Sequence, residues 1–340
     1  MARQVTIGDV AKEAGVSIAT VSRVLNGQST VNQAMVDDVR AAAGRLGYRP
    51  NAAARGLASG AYRVIGVVVP DLRNPYFTDI LESIVAQSKG DGYRVLVSDS
   101  GGDVKEELDA CRRLRTSVDG LILVSPRMPG DDLRALSADG FPMVLINRQE
   151  PSIALPMALA DTRSATLELC RHLSGLGHSR VVYMAGSALS WQNRERLRGI
   201  HDAREFGFEA AVVEGEPTIE AGYRAASAAL DFEPTAIMAY NDLAALGVIA
   251  RLREIGFKVP NDISVTGFDD IEMARYVRPT LTPAVSLKTQ LGEHAWNALR
   301  QVLRGQPPIA ASLIPSPVVV RESTGPASER RRRSADMDLR

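Results

Sequence analysis

Seven short apolar runs set the strongest limit on how this 340-residue chain can fold. They read VIGVVV (64–69), RVLV (94–97), GLILV (120–124), MVLI (143–146), VVYMAG (181–186), AIMAY (236–240) and ISVTG (263–267). Longer amphipathic stretches lie between them, among them 75–90, 105–116, 163–176, 194–206, 219–230 and 242–255. A strand covered on both faces reads as a continuous apolar run, and alternation with helices makes the sheet parallel. The series pauses near 150–156 and resumes, so two successive α/β units are expected.

Open parallel sheets bind ligands at the carboxyl ends of their strands, and the residues there carry the chemistry. The first run is followed by Asp71, Asn74, Tyr76 and Phe77, and later runs by Ser98-Asp99-Ser100, Ser125, Asn147-Arg148 and Asp161. The second unit adds Ser190-Trp191-Gln192 with Arg194 and Arg196, then Tyr240-Asn241-Asp242, then Phe268-Asp269-Asp270. Singly, each is as well explained as a cap or turn residue. Together they suit a polyhydroxylated ligand, with aromatics over its apolar face and charged groups on its hydroxyls.

The N-terminal stretch VTIGDVAKEAGVSIATVSRVLNG (5–27) follows a different rule. Thr6 with Asp9 is a capping-box pattern, and Ile7, Val10, Ala11 and Ala14 form one apolar stripe. Gly15 ends that helix, and Ser17 caps a second whose inward residues are Val21 and Val24 or Leu25. Two short helices on a tight Gly turn form a helix-turn-helix. Its outward face carries Ile18, Ala19, Thr20, Ser22, Arg23 and Asn26. Ile18 and Ala19 would meet base edges, Arg23 can bond a guanine, and the short polar residues suit phosphates. A helical hairpin with a solvated polar face is the alternative. Asn32 can cap a third helix with Val36, Val39, Ala43 and Leu46 inward and Gly47 at its end. Pro50 breaks the chain, and Asn51 can cap a short Ala-rich helix over 52–59, for which a plain linker is the alternative.

Charge supports a DNA-binding module. The net charge is zero, yet residues 1–63 carry eight Arg or Lys against four acids, leaving +4 on that segment. No 18-residue apolar run or leader-like segment is present, and only Cys111 and Cys170 occur, so a cytoplasmic protein away from membranes is expected.

The stretch 5–27, followed by GYRPNAAARGLASG and, near the end, VVVRESTGP, resembles the lac repressor/galactose repressor family of bacterial transcription regulators. The resemblance implies a DNA-binding headpiece (1–50), a hinge helix (51–61) and a core similar to periplasmic sugar-binding proteins (62–326). Within the core it implies one subdomain of 62–161 and 286–312 and another of 162–285 and 313–326, with a disordered charged tail at 327–340. The implied DNA contacts are Thr6, Ser17, Ile18, Ala19, Thr20, Ser22, Arg23, Asn26, Asn51, Arg55 and Leu57, the last wedged into the minor groove. The implied effector contacts are Tyr76, Phe77, Asp161, Arg196, Asn241 and Asp269; Asn74, Ser125 and Arg148 join them as strand-end candidates, and Trp191 is expected at the rim, where it either helps select the ligand or simply packs. Where the family commonly places a Gln that closes on the ligand, this chain has the shorter Ser286.

Two other functions compete. A nicotinamide enzyme would need G-x-G-x-x-G at a strand-to-helix turn, which is missing, as is the Walker pattern. The four histidines are scattered, Cys170-x-His172 lacks further zinc ligands, and no nucleophile elbow occurs, so no catalysis, metal or cofactor is expected. A transport-type binding protein would not carry the N-terminal module. The expectation is an effector-controlled repressor, α/β in its core. It binds double-stranded operator DNA as a homodimer, and its effector is a sugar or sugar derivative rather than a nucleoside.

Overall fold

The computed structural model describes residues 5–25, 32–48, 61–151, 153–307 and 311–328, in two units, Met1–Arg63 and Val64–Arg340. Asn26, Asn51, Arg55, Leu57 and the tail from 329 lie outside the described residues.

In the first unit, α1 (Ile7–Glu13) starts at a complete capping box: Asp9 donates its N–H to Thr6 Oγ1 at 3.4 Å, and Thr6 donates its own to Asp9 Oδ2 at 2.9 Å. Gly15 turns the chain at φ 63°, a conformation costly for any residue with a Cβ. Ser17 Oγ then accepts the Thr20 N–H at 3.1 Å to open α2 (Ile18–Leu25). Asn32 caps α3 (Gln33–Arg45) through the Ala34 N–H at 3.0 Å. Val10, Ala11, Val21, Val24, Val39, Ala42 and Ala43 are the buried core. Ala42 replaces the expected Val36 and Leu46 at its centre; both pack at the edge instead.

The second unit holds two all-parallel sheets. The first contains β1 (Val64–Val69), β2 (Arg94–Asp99), β3 (Gly120–Val124), β4 (Met143–Ile146), β5 (Met157–Ala160) and β11 (Ser312–Ile314), in the order β11-β5-β4-β3-β1-β2. The second contains β6 (Val181–Ala185), β7 (Ala210–Glu214), β8 (Ala236–Ala239), β9 (Ser264–Asp269) and β10 (Thr282–Val285), in the order β10-β9-β8-β6-β7. Residues of β1, β3, β4, β6, β8 and β9 are buried, which is why all but β9, with its buried Ser264, Thr266 and Asp269, read as unbroken apolar runs.

The chain crosses between the sheets three times. After β5 it enters α7 (Thr162–Gly175) and the second sheet; after β10 it returns through α11 (Lys288–Leu303), which packs on α4 (Pro75–Gly90). Strand β11 then completes the first sheet before residues 315–328 run back, where Val285 and Val265 donate N–H bonds to Pro317 O and Ser323 O at 2.7 and 2.8 Å. Sequence placed the third crossing at 312. That position falls inside β11, paired with β5, so residues 313 and 314 belong to the first sheet.

Candidate functional site

The outward face of α2 presents Ser17, Ile18, Ala19 and Arg23 to solvent, with Ile18 55% exposed although it is a large aliphatic residue. Thr20 and Ser22 are half-buried, and Thr20 Oγ1 lies 2.9 Å from Ser17 Oγ. Arg23 donates Nε–H to Ala19 O one turn back at 3.3 Å. Thr6 is exposed at the cap of α1, where its hydroxyl also bonds Asp9.

The second site lies between the two sheets, at the carboxyl ends of their strands. From the first sheet, Asn74 caps α4 by accepting the Tyr76 N–H at 3.0 Å, with Pro75 supplying the first helical φ. This sets Tyr76 and Phe77 edge to face, ring centroids 5.1 Å apart, at the crevice wall. Beyond β4, Asn147 donates to the Tyr76 hydroxyl and accepts the Ala160 N–H at 2.8 Å. From the second sheet, Ser190 caps α8 (Trp191–Asp202) and lies 3.0 Å from the Tyr240 hydroxyl. Gln192 reaches across: its Oε1 accepts from Ser125 Oγ at 3.1 Å and its Nε2 donates to Tyr76 OH at 3.5 Å. Asn241 caps α10 (Asp242–Glu254) and donates Nδ2–H to Pro217 O at 3.2 Å.

Arg196 is the electrostatic centre. It is 2% exposed, with its guanidinium carbon 3.9 Å from the Phe268 ring centroid and 4.3 Å from that of Tyr240. Nη2 lies 3.9 Å from Asp269 Oδ1, while Nε and Nη1 have no hydrogen-bond acceptor among the described residues. Burial pulls this guanidinium down, but Tyr240, Tyr183 and Asp269 outweigh it and hold it above its ordinary value. Burial pushes the Asp269 carboxyl up to about 6, against Arg196 and Lys288. Asp269 also sits at φ 103°, strained for a residue with a side chain, and accepts from Ser286 Oγ at 3.4 Å. Ser286 thus contacts the carboxylate rather than closing over the crevice.

Asp71, Asn74, Tyr76, Phe77, Arg127, Gln192, Arg196, Pro217, Tyr240, Asn241 and Asp269 line this crevice. Six of the ten effector positions expected from sequence therefore meet: Asn74, Tyr76, Phe77, Arg196, Asn241 and Asp269. Ser125 acts one bond away through Gln192. The other three do not line the crevice. Arg148 pairs with Glu150 at 2.9 Å, Asp161 caps α7 through the Ser164 N–H at 3.1 Å, and Trp191 is packed as the first residue of α8. Of the residues not chosen from sequence, Asp71, Gln192 and Tyr240 were visible only as strand-end groups. Arg127 and Pro217 carried no signal beyond lying a few residues after strands β3 and β7.

Among the described residues no helix is long and apolar enough to cross a membrane, and no group of His, Cys, Asp and Glu could hold a metal ion.

Comparison with known proteins covers both units of the chain. Residues 6–51 match the bacterial regulatory proteins of the lacI family, and residues 62–322 match the periplasmic binding proteins and sugar binding domain of the LacI family. Catabolite control protein A of Priestia megaterium is 33% identical over 330 residues, covering 94% of this chain and 99% of that protein. The HTH-type transcriptional regulator GalR of Escherichia coli is 35% identical over 303 residues, covering 85% and 88%. The structure of the lac repressor dimer bound to operator and the anti-inducer ONPF matches with a TM-score of 0.83 at 30% identity, over 95% of this chain and 100% of that one. The complex of the regulator CelR with cellobiose matches with a TM-score of 0.71 at 26% identity, over 94% and 100%. These relatives are regulators and not enzymes, and a transport protein would not share the match over 6–51. With a regulatory headpiece and a ligand-binding core matched along one chain, this protein belongs to the LacI family and is a ligand-binding, DNA-binding regulator of transcription.

Proposed function

We propose that the chain is a cytoplasmic repressor that binds a pseudo-palindromic operator as a homodimer and is controlled by a small sugar-like effector in the crevice. The observation that carries the effector site is Arg196: a buried guanidinium with two unpaired nitrogens, between two rings and beside a strained carboxylate. An unpaired buried donor costs about 1–3 kcal/mol, and ligand hydroxyls supply the missing acceptors. Thr6, Ser17, Ile18, Ala19, Thr20, Ser22 and Arg23 meet DNA, with Arg23 reading a base. The relatives' bound operator and cellobiose support this reading by analogy. The crevice joins the two sheets, so a ligand that prefers one angle between them biases the molecule, and its coupling to DNA is reciprocal.

The test is an anisotropy titration of an operator fragment, selected from random DNA, with and without sugars, sugar derivatives and nucleosides. A sugar-dependent change in operator affinity of either sign, lost in Arg196→Gln while ligand-free binding persists, is expected. Nucleosides acting where all sugars fail, or an operator half-site bound by a monomer, would overturn the corresponding part.

A further inference from the structure

We propose that the effector is a polyhydroxylated acid, its carboxylate or phosphate held by Arg127 beside Arg196, and that Arg127 sets the preference for acidic over neutral ligands. This rests on the crevice being the effector site.

The argument is a count of bonding capacity already used. Asp71 is occupied by Arg73, whose backbone N–H and Nε donate to its Oδ1 at 2.9 Å each. The side-chain oxygens of Asn74 and Asn241 each already accept a helix-cap N–H, and Gln192 Oε1 accepts from Ser125. What is left over is donor capacity. Arg196 has two nitrogens without acceptors, and the Arg127 guanidinium, which lines the same crevice, feels the charges of Asp71 and Glu107 but makes no side-chain hydrogen bond to either. Asp269 is the charged acceptor nearest Arg196, suited to one hydroxyl. A ligand matching this crevice must bring acceptors to two guanidinium groups, which is what anionic oxygens do best.

Arg127 is placed there by construction. The buried Glu107 carboxylate accepts the backbone N–H of Arg127 at 2.9 Å and of Met128 at 2.8 Å, pinning the loop after β3 to helix α5 (Val104–Leu114). The guanidinium then lies against Gly102, where an added Cβ would sit 2.6 Å from Nη1. A side chain at this position, which sits at φ 76°, would push the flexible end of Arg127 aside. The loop is thus held so that a cation faces the crevice.

The test uses the full chain and matched pairs measured by calorimetry: gluconate against glucitol, glucuronate against glucose, glucose 6-phosphate against glucose, and ribose 5-phosphate against ribose. At least one acid is expected to bind about tenfold or more tighter than its neutral partner, a difference of about 1.4 kcal/mol. Arg127→Gln should weaken the acid about tenfold more than its neutral partner and so remove that ratio, and Arg127→Lys should retain part of it. Carboxylate and phosphate arms separate the two kinds of acid. Neutral compounds that bind as tightly as their acids in every pair that binds, in a manner lost with Arg196→Gln, overturn the anionic preference and leave the effector crevice standing. Equal weakening of both partners by Arg127→Gln also overturns it. No binding by any pair at about 10 mM overturns the proposal together with the crevice reading.

Discussion

Replacing Asp269 by Asn isolates what a buried charge does to this fold. Asp269 is 4% exposed, and burial raises its carboxyl from 3.8 to about 6 despite the neighbouring Arg196 and Lys288. Between those two values the folded chain keeps a proton that the unfolded chain has released. The unfolded state therefore binds fewer protons, and stability falls as pH rises through the window, by up to about 1.4 kcal/mol per pH unit. Over the roughly two units separating the values, the ionised group costs about 3 kcal/mol at neutral pH. Asn resembles the protonated acid and does not titrate. Asp269→Asn is therefore expected to match wild type near pH 4 and to exceed it by up to about 3 kcal/mol at pH 7, while losing its response to effector. Both tryptophans, Trp191 and Trp296, lie in the second unit, so urea melts followed by their fluorescence report its unfolding at each pH. Asp242 is raised by burial and then by Asp269, so the variant also relieves part of that shift, which adds to its gain in the same direction as pH rises. Parallel stability curves for the two proteins from pH 4 to 7 would refute the reasoning, because they would mean that burial does not hold the Asp269 proton.

Arg23→Ala is expected to cost roughly 1–3 kcal/mol on the preferred operator and to relax preference at one base pair; equal weakening on operator and random DNA, read by gel shift, would assign Arg23 to phosphate instead. Gly247→Ala should destabilise the second unit by roughly 1–3 kcal/mol or more, because a Cβ there would lie 2.0 Å from the Ile219 carbonyl oxygen where α10 meets the helix Ile219–Ala229. A fluorescence-detected urea midpoint unchanged from wild type would show that the helices can part at no cost.

The runs that the sequence displays most openly are the ones with a single physical cause. VIGVVV, GLILV and MVLI match β1, β3 and β4 end to end, because central parallel strands have no solvent face to mark with polar residues. Four strands escaped the same reading. Strands β7, β10 and β11 lie at sheet edges; β7 is only partly buried, and β10 is four residues long and carries Pro283, tolerated at an edge. Strand β5 is the four-residue Met157–Ala160, half alanine, too short and too weak in β propensity to stand out. Helix starts depended on caps: reading 194 rather than 191 as the start of α8 left Trp191 as a rim residue, whereas Ser190 accepts the Asn193 N–H at 3.3 Å and folds Trp191 inward.

For the crevice, strand-end position was legible and side-chain commitment was not. Asp161 and Asn241 both follow strands and both cap helices, yet only Asn241 also lines the crevice. Nothing in the one-dimensional pattern separates them, since a cap and a ligand contact favour the same residue types at the same place. Arg148 and Arg127 differ in the same way. Both are arginines just after a strand, but Arg148 finds Glu150 two residues on, while Arg127 has its backbone held by Glu107, twenty residues back. Which cation keeps its charge for a ligand is decided by where the carboxylates of other elements arrive. A sequence can therefore name the ends of the strands that face the crevice, but the chemistry it demands of a ligand is the remainder after every local bond has been made. In this crevice, among the described residues, that remainder includes the Nε and Nη1 donors of Arg196 and the guanidinium of Arg127.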